Sequence, residues 1–197
     1  NSQQTTQNGQ CLLCSDANPN NSVDGNNNTA STLSIPIGLV NGWIQQTLQF
    51  NNGGNNGDVI QVDLEIPTGV LDISLLSYIS LASYNGATYN NDRVAVNDPL
   101  LNIQLLSGNR FRASFKAGAS FDRVEIRLGG LVNLVSSLNI YGASYKFKAR
   151  TITGNTTICS GQTTTLVSDA AVGETIKWYA ALTGGNVVSS TTSFTTL

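Results

Sequence analysis

Along most of this chain apolar residues alternate with polar ones at a period of two, in short runs. GWIQQTLQF (42–50) sets Ile44, Leu48 and Phe50 on one face. In DVIQVDLEIP (58–67), Ile60, Val62, Leu64 and Ile66 lie opposite Val59, Gln61, Asp63 and Glu65. LDISLLSYISLASY (71–84), RFRASFKAG (110–118), FDRVEIRLGG (121–130) and SSLNIYGASYKFKA (136–149) have the same texture. Successive side chains leave a strand on opposite faces, so this period predicts half-buried strands, and no stretch carries a convincing helical period. Clusters of Gly, Asn, Asp and Ser separate the runs, and NNGGNNGD (51–58) reads as a turn or loop that tolerates positive φ. Asn85-Gly86 predicts a hairpin tip near residues 85–92, because both central residues of a type I′ turn need φ above zero. Roughly eight strands over residues 11–149 predict an all-β fold, an antiparallel β-sandwich.

The two ends read differently. NSQQTTQNGQ (1–10) has no apolar residue and is expected to be a flexible N-terminal tail. Near residue 149 a Thr-rich alternation begins, followed by a strand with Trp178, a Gly184-Gly185 turn and a final strand. An Ig-like sandwich takes roughly 80–100 residues. Residues 150–197 are therefore expected to be the truncated first part of a second sandwich.

Composition narrows the chemistry. Of 197 residues only 11% are charged, against about 25% in an average soluble protein, while 23 are Asn, so the polar surface is largely uncharged. The absence of His and Met removes the commonest general base and metal ligand, and with them most hydrolase triads and catalytic zinc sites. A net charge of −2 argues against nucleic acid or an anionic membrane as partner. No apolar run approaches the roughly 18 residues of a membrane span, so no membrane insertion is expected. The chain starts at Asn1 without a leader and uses few charges, three Cys and much Thr, Asn and Gly; this predicts a mature or trimmed exported protein, extracellular or at the cell surface.

Four groups of residues are candidates for chemistry. Asp24, Asn26 and Thr29, with backbone carbonyls of a Gly-containing turn, supply the hard oxygens that calcium takes; the competing reading is an Asx-rich turn without an ion. Cys11 and Cys14 lack the βαβ setting of a thiol exchanger and the further ligands of a zinc site, and are expected to form a short local disulfide. Tyr84 and Tyr89 flank the Asn-Gly turn and, with Asn90, Asn91, Asp92 and Arg93, offer a ligand-binding tip; the alternative is a cross-strand Tyr pair that supports the hairpin. Trp43 and Trp178 read as core or sheet-face residues. The carboxylate pairs Asp63 with Glu65 and Asp122 with Glu125 read as solvated, as does the Arg123, Glu125, Arg127 ladder, so no catalytic residue is assigned.

CSGQTTTLVSDA followed by ETIKWYAALTGGNVVSSTTSFTT resembles the first half of the Ig-like repeats of large Bacteroidota surface proteins, the gliding adhesins and other type IX secretion substrates. Cys159, Gly161, Leu166, Trp178, Tyr179, Gly184 and Gly185 occupy the matching places. The resemblance implies a partner for Cys159 beyond residue 197. The larger part resembles a module that accompanies those repeats. NSVDGNNNTASTL followed by GWIQQTLQF is similar to the start of discoidin-type, galactose-binding-like (jelly-roll) sandwiches, although Ala30, Ser31 and Thr32 stand where a Trp is usual. That likeness implies calcium held by Asp24, Asn26 and Thr29. The function expected is a non-catalytic adhesion or binding module whose partner is a glycan, a surface protein or neighbouring domains of its own chain. The alternatives are an architectural spacer of a β-rich stalk or filament and an accessory domain of a polysaccharide-degrading enzyme.

Overall fold

A computed structural model gives the fold and describes residues 1–11, 13–36, 41–67, 76–130, 136–170 and 174–196. The chain divides into two compact units, Asn1–Lys148 and Ala149–Leu197.

In Asn1–Lys148 the strands are β1 (Ser2–Gln7), β2 (Ser15–Ala17), β3 (Ser31–Ile35), β4 (Trp43–Gly54), β5 (Val59–Glu65) and β6 (Ile79–Asn85). They continue with β7 (Thr88–Tyr89), β8 (Val94–Ala95), β9 (Asn102–Ser107), β10 (Arg110–Lys116), β11 (Phe121–Gly129) and β12 (Ser136–Lys146). One sheet runs β1-β4-β11-β6-β7, with β8 also on β6, and the other runs β2-β3-β12-β5-β10-β9. The pairings are antiparallel. The period of two now has its physical meaning. Ile44, Leu48 and Phe50 of β4, Val124, Ile126 and Leu128 of β11, and Ile79 and Leu81 of β6 are buried, and so are Leu33, Ile35, Ile60, Val62, Leu64, Phe111, Phe115, Leu138 and Ile140 of the second sheet. These residues form one core cluster. Two sheets with one apolar face each can hide both faces only against one another, and the unit is an antiparallel β-sandwich. Each buried aliphatic or Phe side chain contributes about 1.5–3 kcal/mol.

Four expectations are corrected. Residues 1–10 are not a tail: β1 pairs with β4 in continuous register from Ser2↔Gln49 to Gln7↔Ile44. An all-polar segment can add to a sheet edge because its ladder is made by the backbone, and polar side chains hold it there as well. Gln46, fully buried, donates from Nε2 to Asp16 Oδ2 at 3.1 Å and to the Pro19 carbonyl at 3.0 Å. Thr5 of β1 donates to the same Asp16 oxygen, and Ser31 Oγ donates to Gln46 Oε1 at 2.8 Å. Burial raises the pKa of the Asp16 carboxyl from its usual value, although the Thr5 hydrogen bond lowers it. The strand expected over 71–84 begins only with β6 at Ile79: residues 76–78 are helical or turn and not strand, and residues 71–75 lie outside the described residues.

The hairpin also differs in type. Tyr84 pairs with Tyr89 and Asn85 with Thr88, so the turn is Gly86-Ala87. Gly86 has φ +59° while Ala87 is not left-handed. Positive φ at the first central position alone is the type II′ turn, where Gly leads. Finally, the β11 ladder is not a solvated face, because Glu125 is only 2% exposed.

Ala149–Leu197 contains β13 (Ile152–Thr153), β14 (Thr165–Ser168), β15 (Trp178–Tyr179), β16 (Val187–Ser189) and β17 (Ser193–Thr195). They form a three-stranded sheet, β13-β14-β17, and a two-stranded one, β15-β16. Trp178 stacks on Phe194 with centroids 5.7 Å apart and donates from Nε1 to the Thr191 carbonyl at 2.8 Å. The connection from β15 to β16 carries Gly184 at φ +69° and Gly185, where a Cβ would stand 2.5 Å from the Ala181 nitrogen. Among the described residues no helix is long and apolar enough to cross a membrane.

Candidate functional site

The outward face of the first sheet gathers planar groups around one buried carboxylate. Arg127 of β11 stands between Gln45 of β4 and Ser80 of β6. Its Nε donates to Gln45 Oε1 at 2.8 Å, its Nη2 lies 3.3 Å from Glu125 Oε1, and its guanidinium lies over the Trp43 ring, 4.1 Å from the centroid. Arg93, in the segment leading into β8, reaches the same Glu125 oxygen with Nη2 at 2.5 Å and Ser80 Oγ with Nη1 at 3.3 Å. Two guanidiniums thus share one carboxylate. Such forks are rigid, and a guanidinium flat on an indole holds the ring as well as itself.

Tyr84 and Tyr89 extend this face. Their rings are 5.3 Å apart, and Arg93 lies 5.8 Å from the Tyr89 centroid. The Tyr89 hydroxyl accepts the Arg93 backbone N–H at 3.0 Å. Burial, and then the nearby Glu125, raise the pKa of the Tyr84 phenol above its ordinary value. Two of the polar residues of the expected tip turn elsewhere. Asp92 accepts the Ser83 N–H at 2.8 Å and the Ser83 hydroxyl at 2.5 Å, while Asn90 donates to Ser83 Oγ at 2.9 Å and to the Ser120 carbonyl at 3.1 Å. Asn90 and Asp92 brace the loop. The structure sets Tyr84 and Tyr89 beside Arg93 and Tyr84 beside Glu125, while Trp43 lies further along the same face, on Arg127. The Arg-x-Glu-x-Arg spacing was visible in the sequence, but what buries Glu125 is Arg93, some thirty residues earlier, for which the local pattern has no signal.

Asp24, Asn26 and Thr29 do meet in one turn. Asp24 Oδ1 accepts the Asn26 N–H at 2.7 Å and Oδ2 accepts the Thr29 hydroxyl at 2.7 Å, while Asn26 Oδ1 accepts the Asn28 N–H at 3.0 Å. The Thr29 hydrogen bond, then that from Asn26, lowers the pKa of this exposed carboxyl and keeps it ionised at neutral pH. Hard oxygens from three side chains, one of them anionic, fit a calcium ion in kind. The charge is low: among the described residues no three His, Cys, Asp or Glu side chains come together.

Next to this turn, on the outward face of the second sheet, lies a cleft of about 230 Å³ whose lining includes Asn27, Gln61, Asp63, Arg112 and Tyr141. Arg112 grips Asp63 with Nε at 2.6 Å and Nη2 at 2.8 Å. Arg110 donates to the Asn27 carbonyl at 2.7 Å and stacks 3.7 Å over the Tyr141 ring, and Tyr141 donates its hydroxyl proton to Glu65. That hydrogen bond, then one from Asn139, lowers the Glu65 pKa. Asp122 likewise accepts the Gly86 N–H at 2.8 Å. These carboxylates are held by donors and not simply solvated.

Cys11 and Cys14 are joined as a disulfide with Cα atoms 5.2 Å apart, and Cys11 is part of the core cluster. Cys159 is exposed and free.

No curated protein matches the chain significantly. Among solved structures it is similar to CBM32-1 from a family 31 glycoside hydrolase of Clostridium perfringens, with 13% identity, a TM-score of 0.42, and coverage of 75% of this chain and 94% of that one. It is also similar to a GH31 CBM32-2 bound to GalNAc, with 13% identity, a TM-score of 0.35, and coverage of 75% and 100%. Residues 148–197 match the family model for the Ig-like domain described as CHU_C associated.

Proposed function

We propose that the chain is a non-catalytic binding module of a large secreted or cell-surface bacterial protein, of the type IX secretion adhesin kind, and that it takes neutral glycans on the outward face of its first sheet. The observation that carries this reading is the Trp43 indole backed by Arg127, with Arg93 tied to the same Glu125 and the Tyr84–Tyr89 pair beside Arg93. Sugars are bound by flat aromatic faces beside planar hydrogen-bonding groups held in place beforehand. The carboxylates, by contrast, are engaged by donors, which suits binding better than acid-base chemistry.

A neutral-glycan array probed with the full chain is expected to give hits, and Trp43→Ala to weaken them about 30-fold, the loss of one aromatic anchor. Silence across the array together with end-to-end assembly of the chains would turn the reading to an architectural segment.

Calcium at Asp24, Asn26 and Thr29 is proposed as a structural ion of their turn, with affinity in the roughly 0.1–1 mM class of weakly charged extracellular sites. Millimolar calcium is expected to raise the melting temperature and EDTA to reverse the gain. Identical melting curves in both would leave the turn closed by its own hydrogen bonds alone.

A further inference from the structure

Three of the four lysines, Lys116, Lys146 and Lys148, come together at one end of the second sheet. Lys116 closes β10 and Lys146 closes β12, and both pair with Val59 of β5 between them, so two ammonium groups flank one short side chain in a single cross-strand row. Alternation places both outward, because Phe115 and Tyr145, the residues before them, pack with the core. Lys148 then lies over Gly57. A Cβ on that glycine would stand 2.9 Å from Lys148 Cδ and 3.6 Å from Lys116 Cε. Gly57, at φ +92°, is therefore what lets two lysine stems meet over one point.

Like charges held together cost free energy, and a chain with so few lysines has room to spread them. Among the described residues, no carboxylate stands at ion-pair distance from Lys116 or Lys146. Asp58 lies beneath, fully buried, with its two oxygens accepting the Asn55 and Lys148 backbone N–H groups at 2.8 Å each. Next to the lysines Phe147 is 65% exposed and meets Tyr145 edge-on at 5.6 Å. Tyr145 is fixed in turn by Phe50 and Phe121 and by its hydroxyl on the Asn52 and Gly53 carbonyls. An exposed ring on a rigid base beside converging ammonium groups suits a charged sugar, with an acid group for the lysines and an apolar ring face for Phe147.

We infer that Lys116, Lys146, Lys148 and Phe147 form a binding site for the carboxylate or sulfate groups of an acidic polysaccharide. The site is separate from the Trp43 face and does not rest on the reading given to that face.

The test measures binding of the full chain to alginate, to chondroitin sulfate and to neutral dextran. Retention of at least one acidic polymer and not of dextran is expected, and raising salt from about 50 to 200 mM should weaken it about 20-fold, the counterion release of three contacts. The triple variant K116Q/K146Q/K148Q is expected to lose at least tenfold and Phe147→Ala several-fold, while Trp43→Ala binds as the parent does. The three lysines are exposed, and a matching circular dichroism melt checks the fold of the triple variant. Should it unfold, K116Q and K146Q singly and the salt response of the parent decide. Acidic-polymer binding that ignores salt, survives the triple substitution or is equalled by dextran overturns the inference. So does tighter retention of single-stranded DNA than of either acidic polysaccharide.

Discussion

Replacing Asp58 with Ala is expected to destabilise the Asn1–Lys148 unit by about 3 kcal/mol, because each carboxylate oxygen is the acceptor of one backbone N–H and a hydrogen bond to a charged group contributes about 1.5–3 kcal/mol. The residue is fully buried. Its side chain accepts the Asn55 and Lys148 N–H groups at 2.8 Å, while its own N–H donates to the Asn55 carbonyl at 3.1 Å and its carbonyl accepts the Ala117 N–H at 2.9 Å. One side chain thereby ties the turn after β4 to the chain just past β12, a link between residues 90 positions apart. Alanine removes both side-chain acceptors and fills nothing, leaving two donors in a place water reaches poorly. For a unit of this size the loss corresponds to a fall in melting temperature of about 10 °C. Asp58→Asn keeps one acceptor oxygen but turns an NH₂ toward the other N–H, and should fall between alanine and the parent. Urea unfolding of the full chain, followed at the transition of this unit, gives the order. Alanine and asparagine variants as stable as the parent would show that water takes over both N–H groups.

How much of this was legible beforehand follows from where each signal resides. The sandwich was legible because burial of Ile60, Val62 and Leu64, or of Val124, Ile126 and Leu128, needs only alternation within one strand, which a window of a few residues displays. β1 was not, since SQQTTQ has no apolar face. Its place on β4 comes from a backbone ladder and from Gln46, Asp16 and Thr5, brought together from three separate segments. The turn was found but misassigned by one position: Asn85-Gly86 flagged a tight hairpin, yet the Tyr84↔Tyr89 register makes Gly86 the first central residue. Asp24, Asn26 and Thr29 were legible as a group because they lie within six residues of one another. Glu125 and the lysine corner share the opposite difficulty. Alternation placed Glu125 on the outward face, as it does Lys116 and Lys146, but whether an outward side chain stays solvated depends on what another segment lays over it. Arg93 covers Glu125 from a loop, and Lys148 crosses Gly57 from beyond the end of its strand.

Glu125→Ala is expected to cost about 3 kcal/mol and, at the same time, most of the neutral-glycan binding. The Glu125 side chain is 3% exposed and neutralises both Arg93 at 2.5 Å and Arg127 at 3.3 Å. Removing one partner of a buried pair costs about 3–5 kcal/mol, since the remaining charge stays without its counterion. The guanidiniums are 25% and 28% exposed, so water recovers part of that, and the lower end applies. Alanine also leaves two cations side by side. Arg127 then loses the carboxylate that positions it, and Trp43 loses the firm backing of its ring. Glu125→Gln separates the effects: it keeps the shape and one acceptor oxygen, so stability should fall by roughly half as much, while the Tyr84 phenol loses an anionic neighbour. Its pKa is then expected to move down toward the ordinary tyrosine value without reaching it, because burial, the larger cause of the rise, persists. Ultraviolet titration of the tyrosines reads that shift. Adding Arg93→Ala to Glu125→Ala should restore part of the lost stability by removing one stranded cation, the coupling expected of residues in contact. If the double variant is less stable than the sum of the single ones, or if Glu125→Ala melts with the parent, the carboxylate is solvated after all. The face would then be a sheet exterior whose arginines move freely, with no ring held ready for a sugar.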